Sequence, residues 1–294
     1  MDIVDAHHHL WDLKAGKYPW LQGPPIKMAV GEYSDLRRDY LIEHFLADIA
    51  GHKIAASVHV QADWDEHGDP VEETAWLQRV ADRHGYPHAI VAAADLAAPN
   101  VAEVLDRHCL HRAMRGIRML RPGPSLPAGT PAAAMYDHPA FRRGFAMLSA
   151  RGLSYDLRAF PREMDASVRL ARDFPGTTII VNHLGHVTPR EPELHETWRK
   201  GMAELASCPN VAMKLSGFAI FDRGWTAVAL RPWVSTLIEL FGPERCMWGS
   251  NYPVDRLGGS YARIVEAMAI LLGGCDPAER AAIMGGTARR LYRI

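Results

Sequence analysis

The sequence predicts an α/β protein of the (β/α)8 TIM-barrel class, on three observations. Eight short apolar, β-branched segments recur along the chain, helix-patterned segments separate them, and no glycine-rich phosphate loop follows the first one. The last point disfavours an open doubly wound sheet, whose first strand typically leads into such a loop.

Taken in order, residues 3–7 form the first strand, Ile-Val-Asp-Ala-His. Residues 54–61 form the second, and residues 69–84 carry apolar side chains at helical spacing before a third strand at 89–95. The alternation continues through a helix at 101–108, a strand at 114–119, a helix at 139–151 and a strand at 153–158. A helix at 163–174, a strand at 177–183, a helix at 194–206 and a strand at 211–215 follow. A helix at 231–241, a strand at 246–250 and a helix at 260–272 complete the pattern. No break in composition divides the chain, so residues 1–294 are expected to form one domain. The Pro/Gly-rich stretches at 23–25 and 122–131 read as long loops after the first and fourth strands.

Composition narrows the function classes. With 48% apolar and 23% charged residues, the chain can bury a substantial core. A formal net charge of -1 gives no attraction toward nucleic acid or an anionic membrane, so neither is an expected partner. No apolar run approaches the roughly 18 residues of a membrane span, and no basic start followed by an apolar run suggests a signal peptide. Cys109, Cys208, Cys246 and Cys275 are widely spaced, which fits a reducing cytoplasm. Among fifteen histidines, His44, His84, His108 and His195 lie in helix or loop contexts and read as solvated.

The candidate chemistry lies at strand ends. Residues two apart in a strand share a face, so His7 and His9 are expected to point together, with Asp5 on the same face and His8 toward the helices. His183 ends the sixth strand and completes a three-imidazole set suited to zinc or manganese, with a position left open for water. His186 reads as a solvated loop residue. On the second strand, His59 and Gln61 share a face opposite Val58 and Val60 and are expected at the barrel mouth. Arg115 and Arg118 lie on opposite faces, and Arg118 is expected to bind a carboxylate or lactone oxygen. Asp156 reads either as a substrate-binding residue or as half of an ion pair across the barrel. Lys214 reads as a neutraliser of substrate charge or as a partner of Asp156 or Asp5. Trp11, Trp20 and Trp64 read either as stacking platforms or as packing beneath loops.

These residues, with the motifs Ile-Val-Asp-Ala-His-His-His-Leu-Trp-Asp ending at Asp12, Arg115-Gly-Ile-Arg118, Asn182-His-Leu-Gly185, Lys214-Leu-Ser-Gly217, Trp248-Gly-Ser-Asn-Tyr-Pro-Val254 and Thr287-Ala-Arg-Arg-Leu-Tyr292, resemble the amidohydrolase superfamily. The resemblance runs nearly end to end and is closest to the branch of sugar-acid and aromatic-pathway lactonases. It implies a barrel that hydrolyses a small lactone at the C-terminal ends of its strands, often with a divalent metal on the first-strand histidines. Some relatives work without metal. The family pattern has an aspartate where this chain has Asn251, and an amide cannot take a proton from water. Asp255, His59 or His183 would then serve as base, or Asn251 would bind substrate or metal through its carbonyl.

The expected function is therefore opening of a small polar or anionic lactone by a cytoplasmic monomer or homodimer. The alternatives are a metal-dependent decarboxylase of an aromatic acid and a degenerate barrel that binds a small acid. The loops expected to select substrate are 11–35 and 122–137.

Overall fold

A computed structural model describes residues 2–28, 30–187 and 191–294. It contains eight strands: β1 (Ile3–His8), β2 (Ile54–Val60), β3 (Ala89–Ala92), β4 (Met114–Ile117), β5 (Ser154–Leu157), β6 (Ile179–Val181), β7 (Val211–Leu215) and β8 (Cys246–Trp248). They pair in chain order in one sheet, every pair parallel. The ring closes beyond β8, where the Asn251 N–H donates to the His7 carbonyl at 2.7 Å and the His9 N–H donates to the Tyr252 carbonyl at 2.8 Å. Glycine is required at this seam: a Cβ on Gly249 would stand 2.7 Å from the His7 Cβ and 2.9 Å from its backbone nitrogen. The architecture is the (β/α)8 barrel.

Among the described residues, one α-helix of seven or more residues follows each strand: α1 (Ile42–Asp48), α2 (Val71–His84), α3 (Val101–Cys109), α4 (Pro139–Ala150), α5 (Met164–Asp173), α6 (His195–Ala206), α7 (Ala227–Phe241) and α8 (Tyr261–Leu271). Seven match the helical periodicity within a few residues. α7 begins at Ala227, four residues before the expected start, because the Thr226 side chain accepts the Ala229 N–H and caps the helix there. α1 carries no strong sequence signal, being seven residues long with Leu41 at its cap position inside a long connection. No helix among the described residues is long and apolar enough to cross a membrane.

Strand alternation divides the core in two. Val4, Ala6, Val58, Val60, Val91, Ile180, Ala212 and Met247 pack inside the barrel, and the helix Thr287–Tyr292 seals its floor with Ala288 and Tyr292. A second core lies between strands and helices. This layering corrects the expected facing of two residues. With Val58 and Val60 inward, His59 faces outward, its Nε2 3.3 Å from the Leu10 carbonyl and its ring at right angles to that of His8, 5.7 Å away. In β1, Asp5 pairs with Ser57 but His8 with His59, so three steps on one strand match two on the other. This bulge separates Asp5 from the face of His7. The Asp5 carboxylate instead accepts the His7 N–H, the Ser250 N–H and hydroxyl, and the Tyr261 hydroxyl, tying the base of β1 to the end of β8 and to α8.

The long connection after β1 lies on the one after β2. The Trp20 indole donates to the Ala62 carbonyl at 2.9 Å and the Asp65 N–H to the Lys17 carbonyl at 2.8 Å, and within the first connection the Trp11 indole donates to the Arg38 carbonyl at 2.7 Å. Beneath them, buried Glu73 of α2 accepts the Tyr18 hydroxyl at 3.4 Å and the Ala62 N–H at 3.3 Å. Burial pushes the Glu73 carboxyl up to about 7, against the hydrogen bonds that favour its charged form. A raised carboxyl pKa costs stability as pH rises from the unfolded value through the folded one. Glu73→Gln, which keeps the acceptor oxygen, should therefore raise stability by up to about 3 kcal/mol above pH 7. Urea unfolding should show the gain shrinking toward zero near pH 4; an equal gain at pH 4 and pH 8.5 would refute this origin.

Candidate active site at the barrel mouth

His7, His9 and His183 meet at the C-terminal end of the barrel. The His7 ring centroid lies 5.0 Å from that of His9 and 4.5 Å from that of His183. All three are buried, and burial pulls each well below the usual imidazole range; Lys214 adds to the effect at His7, His186 at His183 and Arg118 at His9. Three crowded imidazoles beside two cations remain neutral, which leaves their nitrogen lone pairs available.

Backbone strain positions His183. His183, Leu184, Gly185 and His186 have φ values of 56°, 54°, 66° and 51°, a left-handed run that is costly for non-glycine residues. The turn lays the imidazole on Gly217, where a Cβ would stand 2.6 Å from its Nδ1, and brings that Nδ1 to 3.0 Å from the Ser216 hydroxyl. His186 is buried against Phe160, their ring centroids 4.6 Å apart, rather than solvated as expected. His108 is also buried, its Nδ1 2.9 Å from the Thr74 hydroxyl.

His9 and Asn251 define the most unusual contact. His9 Nδ1 lies 2.7 Å from the Val60 carbonyl, which can only accept, so the proton sits on Nδ1 and Nε2 carries the lone pair. The Asn251 amide group donates through Nδ2 to Asp255 Oδ1 at 2.8 Å, turning its Oδ1 to 3.3 Å from His9 Nε2. Two lone pairs thus face one another. Asn251 itself has φ 54°, a conformation that asparagine tolerates better than most residues. Asp255 does not turn into the mouth: it is fully buried, accepts from Asn251 and from the Ala219 N–H at 3.3 Å, and burial pushes it up to about 7. Its geometry orients the amide rather than reaching water.

The polar residues of β2, β4, β5 and β7 divide into two groups. Lys214 Nζ donates to Asp156 Oδ1 in a fully buried ion pair, which also accepts the Tyr292 hydroxyl at 3.1 Å through Oδ2. Lys214 Nζ also stands 3.4 Å from His7 Nδ1, and its burial lowers its pKa. These two residues therefore pair first with each other, the structural alternative left open by the sequence. Arg118 behaves otherwise. It donates to the Gln61 carbonyl, its Nε has no acceptor, and no carboxylate among the described residues pairs with it. Arg115 is far from the mouth, donating to the Tyr292 carbonyl at 2.8 Å near the floor. His59, held neutral by burial with its pKa at about 3, lies behind β1 and does not join the imidazole cluster as a base.

Sequence reasoning missed Ser216, Tyr292 and Asn182. Asn182 is buried with both side-chain polar atoms lacking a partner among the described residues, and alternation from inward Ile180 was the signal that could have revealed it. Among the described residues, no three His, Cys, Asp or Glu side chains stand ready-made as a metal cage. The donor chemistry nevertheless fits a borderline divalent ion: neutral imidazoles, a buried and unpartnered His7 Nε2, and the facing lone pairs of His9 Nε2 and Asn251 Oδ1.

Comparison with known proteins identifies the family. Over 99% of the chain, it is 41% identical to "Uncharacterized protein y4mH" of Sinorhizobium fredii, covering 98% of that protein. It is 31% identical to an L-fucono-1,5-lactonase of Burkholderia multivorans over 99% of this chain and 96% of that one. A crystal structure of a Burkholderia multivorans amidohydrolase with bound zinc superposes with a TM-score of 0.84 at 30% identity, covering 100% of both chains. The amidohydrolase family profile matches residues 4–294, and the chain belongs to that family of hydrolases.

Proposed function

We propose that the protein opens the ester ring of a small polar lactone of the sugar-acid type by adding water at the barrel mouth. The observation that carries this reading is the neutral imidazole cluster facing Asn251 Oδ1, with the unpaired Arg118 guanidinium beside it. The relatives named as lactonases support the substrate class.

In this reading the lactone carbonyl sits over His7 and His183. His183 Nδ1 lies 3.0 Å from the Ser216 hydroxyl; in the tautomer whose Nδ1–H donates to that oxygen, Nε2 is the basic nitrogen, and it takes a proton from the attacking water and returns it to the ring oxygen as the C–O bond breaks. The products are one carboxylate, one hydroxyl and one released proton. Arg118 binds lactone oxygen, and its charge stabilises the tetrahedral oxyanion. Asp255 fixes the Asn251 amide, and the Lys214–Asp156–Tyr292 group supports His7 from below. A divalent metal, zinc or manganese, would be held by His7 and His9 with Asn251 Oδ1, leaving His183 Nε2 free as the base, and would supply Lewis-acid polarisation. An ester needs less assistance than an amide, so the missing strand-eight carboxylate is compatible with turnover.

Titration of released acid with 1,4- and 1,5-aldonolactones should show turnover, with kcat lowered about 100-fold or more in His183→Ala. Retained kcat in that variant would remove His183 from catalysis, and carbon dioxide from an aromatic acid without lactone opening would identify a decarboxylase. Elemental analysis of untagged protein purified without chelators should find about one divalent ion per chain, lost in His7→Ala/His9→Ala. Protein that stays metal-free after incubation with zinc or manganese would refute the metal assignment.

A further inference from the structure

Asn251 Oδ1 stands 3.3 Å from His9 Nε2, and both atoms present lone pairs, because His9 Nδ1 gives its proton to the Val60 carbonyl at 2.7 Å. For this contact alone, it is the poorer of two orientations open to the amide. Turned over about its Cβ–Cγ bond, Asn251 would bring Nδ2 to His9 Nε2 and gain a buried hydrogen bond in place of a repulsion. The His9 ring cannot relieve the conflict instead, since rotating it would forfeit the Val60 carbonyl, and burial beside Arg118 keeps it neutral.

What opposes the turn is Asp255. Its fully buried carboxylate accepts the Asn251 Nδ2–H on Oδ1 at 2.8 Å and the Ala219 N–H on Oδ2 at 3.3 Å, while its own N–H holds the Asn251 carbonyl at 3.0 Å. A turned amide would set its oxygen against a carboxylate oxygen that the backbone bond keeps in place. A bond to a carboxylate is about twice as strong as a neutral one, so the orientation that serves Asp255 wins over the one that serves His9. Asp255 reaches the other half of the site as well: Ala219 lies two residues beyond Gly217, on which the His183 imidazole rests.

We propose that Asp255 is a positioning residue that keeps a cation seat open: it holds the Asn251 amide oxygen against the His9 lone pair, where the amide would otherwise close the seat by a hydrogen bond to His9. Asn251 and Asp255 then act as one unit, with the negative charge set one side chain back from the seat. The identity of the cation rests on the metal reading above, whereas the amide orientation is measurable in metal-free protein.

The unit predicts the effect of exchanging its members. In Asp255→Asn the new amide can accept the Ala219 N–H with its oxygen and donate its own N–H to Asn251 Oδ1, which turns Asn251 onto His9 and satisfies every group. In the double variant Asn251→Asp/Asp255→Asn, the amide at position 255 donates to a carboxylate at 251, and an acceptor faces His9 again.

The test compares wild type, Asp255→Asn and the double variant at pH 8, with circular dichroism to confirm folding. In metal-free protein, nitrogen-15 NMR should show His9 Nε2 free of a hydrogen bond in wild type and shifted upfield, as a hydrogen-bonded nitrogen, in Asp255→Asn. Zinc affinity, measured by competition with a chelator, should fall about tenfold or more in Asp255→Asn and recover by as much in the double variant. A hydrogen-bonded His9 Nε2 in wild type, undiminished zinc affinity in Asp255→Asn, or a double variant that binds no better than Asp255→Asn would each overturn the proposal. If wild type takes up no zinc, the metal reading fails and the nitrogen-15 comparison alone decides the role of Asp255.

Discussion

The seam where the chain beyond β8 meets β1 is the constraint on which the site depends. Two backbone hydrogen bonds, from the Asn251 N–H to the His7 carbonyl and from the His9 N–H to the Tyr252 carbonyl, close the barrel and in the same act set the strand-eight amide against the first-strand histidines. Beneath them Asp5 binds both Ser250 and the His7 N–H, so the bulge that re-aims His7 and the end of β8 share one carboxylate. Gly249 allows the approach, and the left-handed backbone of Asn251 turns its side chain toward His9. Closure of the fold and assembly of the site are therefore the same set of contacts.

Electrostatics then decides what the assembled residues can do. Lys214 and Asp156 neutralise one another in the barrel interior, a pair whose desolvation cost is offset only by close contact and by the Tyr292 hydroxyl. Arg118 lacks such a carboxylate, and its positive field adds to burial in holding His7, His9 and His183 neutral. Neutral imidazoles keep their lone pairs free for a metal ion or a hydrogen-bond donor. The left-handed run at His183 stores strain that the Gly217 contact and the Ser216 hydrogen bond accompany, as is common where a side chain must be held off the regular strand path.

Much of this was legible in the sequence because strand period and chain order are local properties. The eight strands, seven of the eight helices, and the meeting of His7, His9 and His183 follow from periodicity and barrel geometry. The errors arise where a non-local contact changes phase. A single bulge, stabilised by Asp5 taking the His7 N–H, moved Asp5 off the imidazole face. The facing of β2 is set by packing of Val58 and Val60 inside the barrel, and polarity alone misplaced His59. Asp255 turns inward to cap the Asn251 amide, beyond a cis Tyr252–Pro253 bond that sequence cannot place. That Trp11 and Trp20 pack beneath loops is shown only by the carbonyls their indoles reach in the folded connections.

The most direct measurement is nitrogen-15 NMR of histidine-labelled protein, with single-site variants for assignment, from pH 8 to pH 5.5. His7, His9 and His183 should remain neutral across the range, with His9 in the Nδ1–H form imposed by the Val60 carbonyl. An imidazolium forming at any of them with a midpoint near 6.5, or His9 in the Nε2–H form, would contradict both the lone-pair geometry at Asn251 and the chemistry built on it.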